Sequence, residues 1–157
     1  MNALSPLAPD TGAGERLRGH HVMLRADSLR LLLPQREVGA ARNLDQQPRP
    51  TRERGVFVLG EGEDVRPVVA LSSAMRPLTE MPLDRFVLVQ LSIGQADLWF
   101  AWSEVRVLMN LDLERHRVPP SMRNPGAPVD SWVRLDGGIA LCSSATLLVE
   151  YALARRA

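Results

Sequence analysis

The chain has 157 residues, of which 45% are hydrophobic and 24% charged, with a formal net charge of +1. That length buries a sizeable core without covalent staples, and the near-neutral balance supplies no field that favours nucleic acid or a membrane surface. Cys142 is the single cysteine, which excludes an internal disulfide, and no stretch approaches the roughly 18 consecutive apolar residues of a membrane-spanning helix.

Residues 1–19 are rich in Pro, Gly, Ala and Ser and read as a polar, disordered N-terminal tail. Asp10, Glu15 and the lack of a leading apolar run argue against a signal peptide, so the cytoplasm is the expected location. Val22 to Leu33 reads as a hairpin turning at Ala26-Asp-Ser, stopped by Pro34. Gln35 to Arg42 suggests one or two helical turns, weakened by Gly39, and 43–54 is a polar loop. Gly55 to Leu59 and Val65 to Leu71 form a second hairpin around Gly60-Glu-Gly-Glu-Asp64, with Pro67 pushing its second strand toward an edge. A short helix over Ser72 to Leu78 is expected, with Ser72 or Ser73 as its cap.

The same order then returns about seventy residues later. Phe86 to Leu91 reads as a strand, Ser92 to Ala96 with Gly94 as a turn, and Leu98 to Trp102 as a strand buried on both faces. Ser103 either caps a turn through Glu104 and Val105 or the strand runs on to Leu111; residues 112–130 form a proline-rich loop. Ser131 to Leu135, Asp136-Gly137-Gly138 and Ile139 to Cys142 make the clearest hairpin. Ser144 to Ala154 suits a closing helix that presents Leu147, Leu148 and Tyr151 to the core. Each half therefore reads strand, turn, strand, a Glu-Val step (Glu37-Val38, then Glu104-Val105), long loop, strand, turn, strand. The predicted fold is mostly β: two SH3-like five-stranded β-barrel subdomains side by side, residues 20–80 and 81–157, with short helices and a C-terminal helix.

Chemistry-bearing constellations are sparse. His20, His21 and His116 read as tail and loop residues without further metal ligands. Cys142 lies inside a strand, where a small buried hydrophobe is the ordinary role. Gly60-Glu-Gly-Glu-Asp64 lacks the helix and lysine of a phosphate loop, and its acids would repel phosphate. No catalytic residue, cofactor or metal site is expected. Trp99 and Trp102 have opposite strand parity, so Trp99 shares a face with Ala101, and Phe100 with Trp102; one set must meet something other than a barrel interior.

Taken together, Leu33-Pro34-Gln-Arg-Glu37-Val38, Arg54-Gly55-Val56-Phe57, Arg66-Pro67-Val68-Val69-Ala70-Leu71, Ala101-Trp-Ser-Glu104-Val105-Arg-Val-Leu108 and Val133-Arg-Leu-Asp-Gly-Gly138-Ile-Ala-Leu resemble the CheW-like domain of chemotaxis coupling proteins. The resemblance covers roughly residues 20–153. It departs where Val58 to Asp64 replaces the family's Asn-Leu-Arg-Gly turn, and where Ala70 and Ser143 replace strand-ending aspartates. It implies a non-catalytic adaptor that joins chemoreceptors to a CheA-type histidine kinase, in a flagellar or pilus-motility pathway, without nucleic acid or membrane insertion. It also implies a groove between the barrels for a receptor helix tip. Val38, Phe57, Val105 and Leu108 are the candidates for that apolar groove, and Arg36 and Arg106 for its polar rim. Core packing of the four apolar residues and solvation of the two arginines is the competing reading. The alternatives to an adaptor are a self-associating assembly subunit and a small-ligand-binding or enzymatic barrel.

Overall fold

The computed structural model describes residues 15–92, 98–119, 121 and 127–154. Its strands are β1 (Arg16–Ala26), β2 (Leu29–Pro34), β3 (Val38–Asn43), β4 (Arg49–Pro50), β5 (Val56–Leu59), β6 (Arg66–Val69), β7 (Val87–Leu91), β8 (Trp99–Trp102), β9 (Glu104–Glu114), β10 (His116–Arg117), β11 (Ser131–Leu135) and β12 (Gly138–Cys142), followed by helix α1 (Ala145–Ala154).

They form two six-stranded sheets, ordered β9-β1-β2-β12-β11-β10 and β3-β7-β8-β6-β5-β4. The edge strands of each sheet are neighbours in the chain. Only Arg115 separates β9 from β10, and residues 44–48 separate β3 from β4. Each sheet is thus a five-strand arrangement whose bent strand supplies both edges, which reconciles the six strands found with the five expected. Closure of this kind leaves little unpaired edge.

The two sheets have the same topology. Each contains a hairpin (β1–β2 or β7–β8), a bent strand (β9–β10 or β3–β4) and a second hairpin (β11–β12 or β5–β6), and in each the two hairpins meet in a parallel pair. The repeat is therefore real, but it does not divide the chain at residue 80. The second sheet, barrel B, uses residues 38–102, and the first, barrel A, is assembled from 16–34 and 104–142.

Residue parity explains three core layers. Met23 and Leu32 point into barrel A with Val133, Leu135, Ala140 and Cys142. Val22, Leu24, Leu31 and Leu33 point the other way, into a layer between the barrels shared with Val89, Leu91, Phe100, Trp102, Leu148 and Tyr151. Burial on both faces is why β2 is almost continuously apolar. Trp99 and Ala101 fill barrel B with Phe57, Val68 and Leu88, whereas Phe100 and Trp102 meet the inter-barrel layer.

Several local expectations change. β1 starts at Arg16, four residues inside the expected tail. The 35–42 segment holds only a 3-10 turn over Gln35–Glu37 before extending as β3, consistent with Gly39 and the β-favouring Val38. No helix forms over 72–78. Instead Ser72 Oγ accepts from the backbone N–H groups of Ala74 and Arg76, both at 3.2 Å, and Met75 turns the chain at φ 60°. Pro67 lies in a strand ranked inside its sheet, but pairing with β8 begins only at Val68, so the proline occupies an edge-like position. β9 runs past Leu111 to Glu114, and β10 forms within the expected loop. His21 is buried in β1, and His116 stacks on Trp132 at 4.2 Å between ring centroids, so neither is a solvated loop residue. On α1, Val149 and Ala152 join Leu148 and Tyr151 in the core, while Leu147 is exposed. The expected turn at Gly94 lies outside the described residues. The β11–β12 hairpin turns through Asp136 (φ 49°) and Gly137 (φ 77°), both positive as a type I′ turn requires.

Candidate functional site

The six predicted interface residues do not converge. Phe57 is 1% exposed in the barrel B interior, so the groove role is replaced by core packing. Leu108 packs half-buried against the barrel A core. Its parity differs from that of Val105, which places the two on opposite faces of β9. Val38 and Val105 do share a layer, since both pack half-buried against the inter-barrel core. They are also topological equivalents, each sitting where its Glu-Val step launches a bent strand.

The two arginines are separated as well. Arg106 donates to Asp136 Oδ2 at 2.8 Å across to the β11–β12 turn, and both partners are solvated. Arg36 is exposed on the 3-10 turn and lines a cleft at one end of barrel A.

The Glu-Val steps have dissimilar jobs. Glu37 Oε1 accepts from the Ala145 backbone N–H at 2.7 Å, tying the first turn of α1 to the β2–β3 connection. Ser144 Oγ accepts from Leu147 N at 3.1 Å and completes the cap. Glu104, its counterpart, makes an exposed ion pair with Arg25 at 3.3 Å and no other side-chain contact of this kind among the described residues.

An apolar strip that sequence reasoning missed lies on β9. Registers place Leu31, Leu24 and Val105 in one row across the inter-barrel face of barrel A, and Leu33, Val22 and Val107 in the next. Along that second row burial ends abruptly. Leu33 and Val22 are buried, whereas Val107 is 50% exposed and Met109, two residues on, is 59% exposed. The apolar face of barrel A thus runs out from under its cover at β9. At the Met109 end of the strip, β9 carries an extra residue between Leu108 and Leu111, with Asn110 at φ 53°. Such a bulge re-aims the strand. Alternation over Val105, Val107 and Met109 was the available signal, hidden because the same stretch reads equally well as ordinary strand.

No family model matches the sequence, and no curated protein matches it. Among solved structures, the scaffolding protein TtCheW from Thermoanaerobacter tengcongensis superposes with a TM-score of 0.58 at 12% identity, over 81% of this chain and 89% of that one. The chain has a CheW-like fold. The likeness agrees with two β subdomains and a C-terminal helix, as found above.

Proposed function

We propose that this chain is a non-catalytic adaptor of a chemotaxis-like pathway, coupling chemoreceptors to a CheA-type histidine kinase or their pilus-motility equivalents in the cytoplasm. The observation that carries the reading is the uncovered apolar strip at Val107 and Met109, on a fold shared with a scaffolding protein. Exposed apolar groups beside a buried layer favour docking of a partner's apolar helix face. In this reading Val38 and Val105 flank the strip from the inter-barrel layer. Phe57 and Leu108 support the barrels from within, and Arg36 and Arg106 lie apart from the strip. The near-neutral charge of +1 favours a protein partner over nucleic acid.

The test is capture of partners from native lysate by tagged full-length protein, with Val107→Asp as the comparison. Recovery of a CheA-like kinase or a chemoreceptor by the wild type, and its loss with Val107→Asp, is the expected result. Recovery of neither by the wild type sinks the proposal.

A second reading rests on the same strand. β9 ends its sheet order with β1 as its long partner, so a second copy's β9 offers an alternative cover for Val107 and Met109. A dimer by light scattering that Val107→Asp converts to monomer would favour it.

A further inference from the structure

A cleft of about 330 Å³ opens at the end of barrel A where β2 and β12 finish. Its wall carries Arg16, Arg18, Arg36, Arg115, His20 and His21, and no carboxylate lines it among the described residues. These side chains come from β1, the 3-10 turn after β2 and the β9–β10 bend, so the fold gathers them from distant parts of the sequence.

The positive charge is only partly offset. Arg16 Nε and Arg18 Nε share one carboxylate oxygen of Asp112, at 2.7 and 3.4 Å. Arg115 lies 3.7 Å from Asp130 and donates to Ser131 Oγ at 2.8 Å. Arg36 has no acidic partner among the described residues. Asp112 and Asp130 offset two of the four arginines and the Glu37 carboxylate, which acts on His21, a third, leaving +1 with both histidines neutral. Within this wall His21 is only 4% exposed, and its Nδ1 donates to Gly19 O at 3.1 Å. Burial holds the His21 imidazole below its ordinary pKa, helped by the charges of Arg115 and Arg36 and opposed by the Gly19 carbonyl and Glu37.

Guanidinium groups gathered along one cleft repel one another unless an anion enters among them. Their planar forks match the oxygens of a phosphate, which accepts several charge-assisted hydrogen bonds at once. The volume lies at the small end of ligand pockets and suits a compact ester better than a nucleotide. We propose that this cleft binds a small phosphate monoester, held by Arg18 and Arg36 at its rim and by Arg16 and Arg115 in its wall. The proposal stands independently of the adaptor reading.

The test is calorimetric titration of the full chain with glycerol 3-phosphate at physiological salt, with glycerol as the neutral control. Saturable binding of the phosphate ester alone is expected, weakened about tenfold by Arg36→Ala or by Arg18→Ala, the loss typical of one charge-assisted bond. Arg134→Ala, outside the cleft, should leave affinity unchanged. Absence of saturable heat overturns the proposal, as does an equal loss in the Arg134 variant, which would signal diffuse charge attraction. Binding of a phosphoserine peptide without binding of the free ester would also overturn it, in favour of a modified protein partner.

Discussion

Replacing Glu37 by alanine should loosen the C-terminal helix at a single point. The lost bond is the 2.7 Å contact from the Ala145 N–H to a half-buried carboxylate at the helix N-terminus. A hydrogen bond to a charged group contributes about 1.5–3 kcal/mol, and a helix cap about 0.5–2 kcal/mol. Ser144 still caps Leu147 N in the variant, so a net loss of about 1–2 kcal/mol is expected. For a chain of this size that lowers Tm by about 3–6 °C. Glu37→Gln keeps an oxygen acceptor but drops the charge facing the helix dipole, and should recover part of the loss. Glu104→Ala removes only a solvated pair with Arg25, so its effect should stay within about 0.5 kcal/mol. Urea unfolding followed by far-UV circular dichroism measures all three. Stability of Glu37→Ala within about 0.3 kcal/mol of wild type, or an equal loss from Glu104→Ala, would refute this cross-chain cap as a support of the fold.

Other outcomes follow from burial and charge. His21 titrates below its ordinary value of 6.5 in the folded chain, chiefly through desolvation. The unfolded chain therefore takes up the proton first as pH falls through about 6.5, and stability present above that pH declines toward the lower folded pKa. His21→Gln should flatten this part of the urea-midpoint profile between about pH 7.5 and 5.5, and an unchanged slope would discount His21. The Cys142 thiol is 2% exposed and burial raises its pKa, so a thiol reagent should label it slowly in the native state and rapidly in urea. Rapid native labelling would show that β12 opens. Phe57→Ala should cost about 3–5 kcal/mol, whereas Val107→Asp should leave stability within about 0.5 kcal/mol while removing partner capture. A severe loss of stability in the Val107 variant would place that residue in the core rather than on a docking strip.

The elements legible in the sequence were those that short-range rules decide. Asp136-Gly137 dictates its own turn, and the aromatic run from Leu98 to Trp102 announces the burial on both faces that β8 shows. The repeat was legible as an order of elements. Its assembly was not, because pairing β2 with β12 depends on residues more than a hundred positions apart. Ser72 misled for a local reason: a cap serine satisfies the N–H groups of a tight turn as readily as those of a helix. The interface residues fared least well. Phe57 and Val107 are both apolar strand residues, and only the location of the opposing barrel distinguishes a filled interior from an open strip. The arginine cleft was invisible for a related reason, since Arg18, Arg36 and Arg115 meet only through closure of barrel A.

The nesting of barrel B inside barrel A also sets a schedule for biosynthesis. The β1–β2 hairpin emerges from the ribosome first, yet its partners β9 to β12 begin only at Glu104, about seventy residues after Pro34. At roughly 5–20 residues per second the hairpin waits on the order of 4–14 s, with Leu32 lacking its barrel A partners Val133, Leu135, Ala140 and Cys142. Barrel B, contiguous from Val38 to Trp102, can close during that interval and give one face of the hairpin a surface to rest on. The insert thus offers the early hairpin an apolar surface before β9 to β12 arrive to complete the outer barrel.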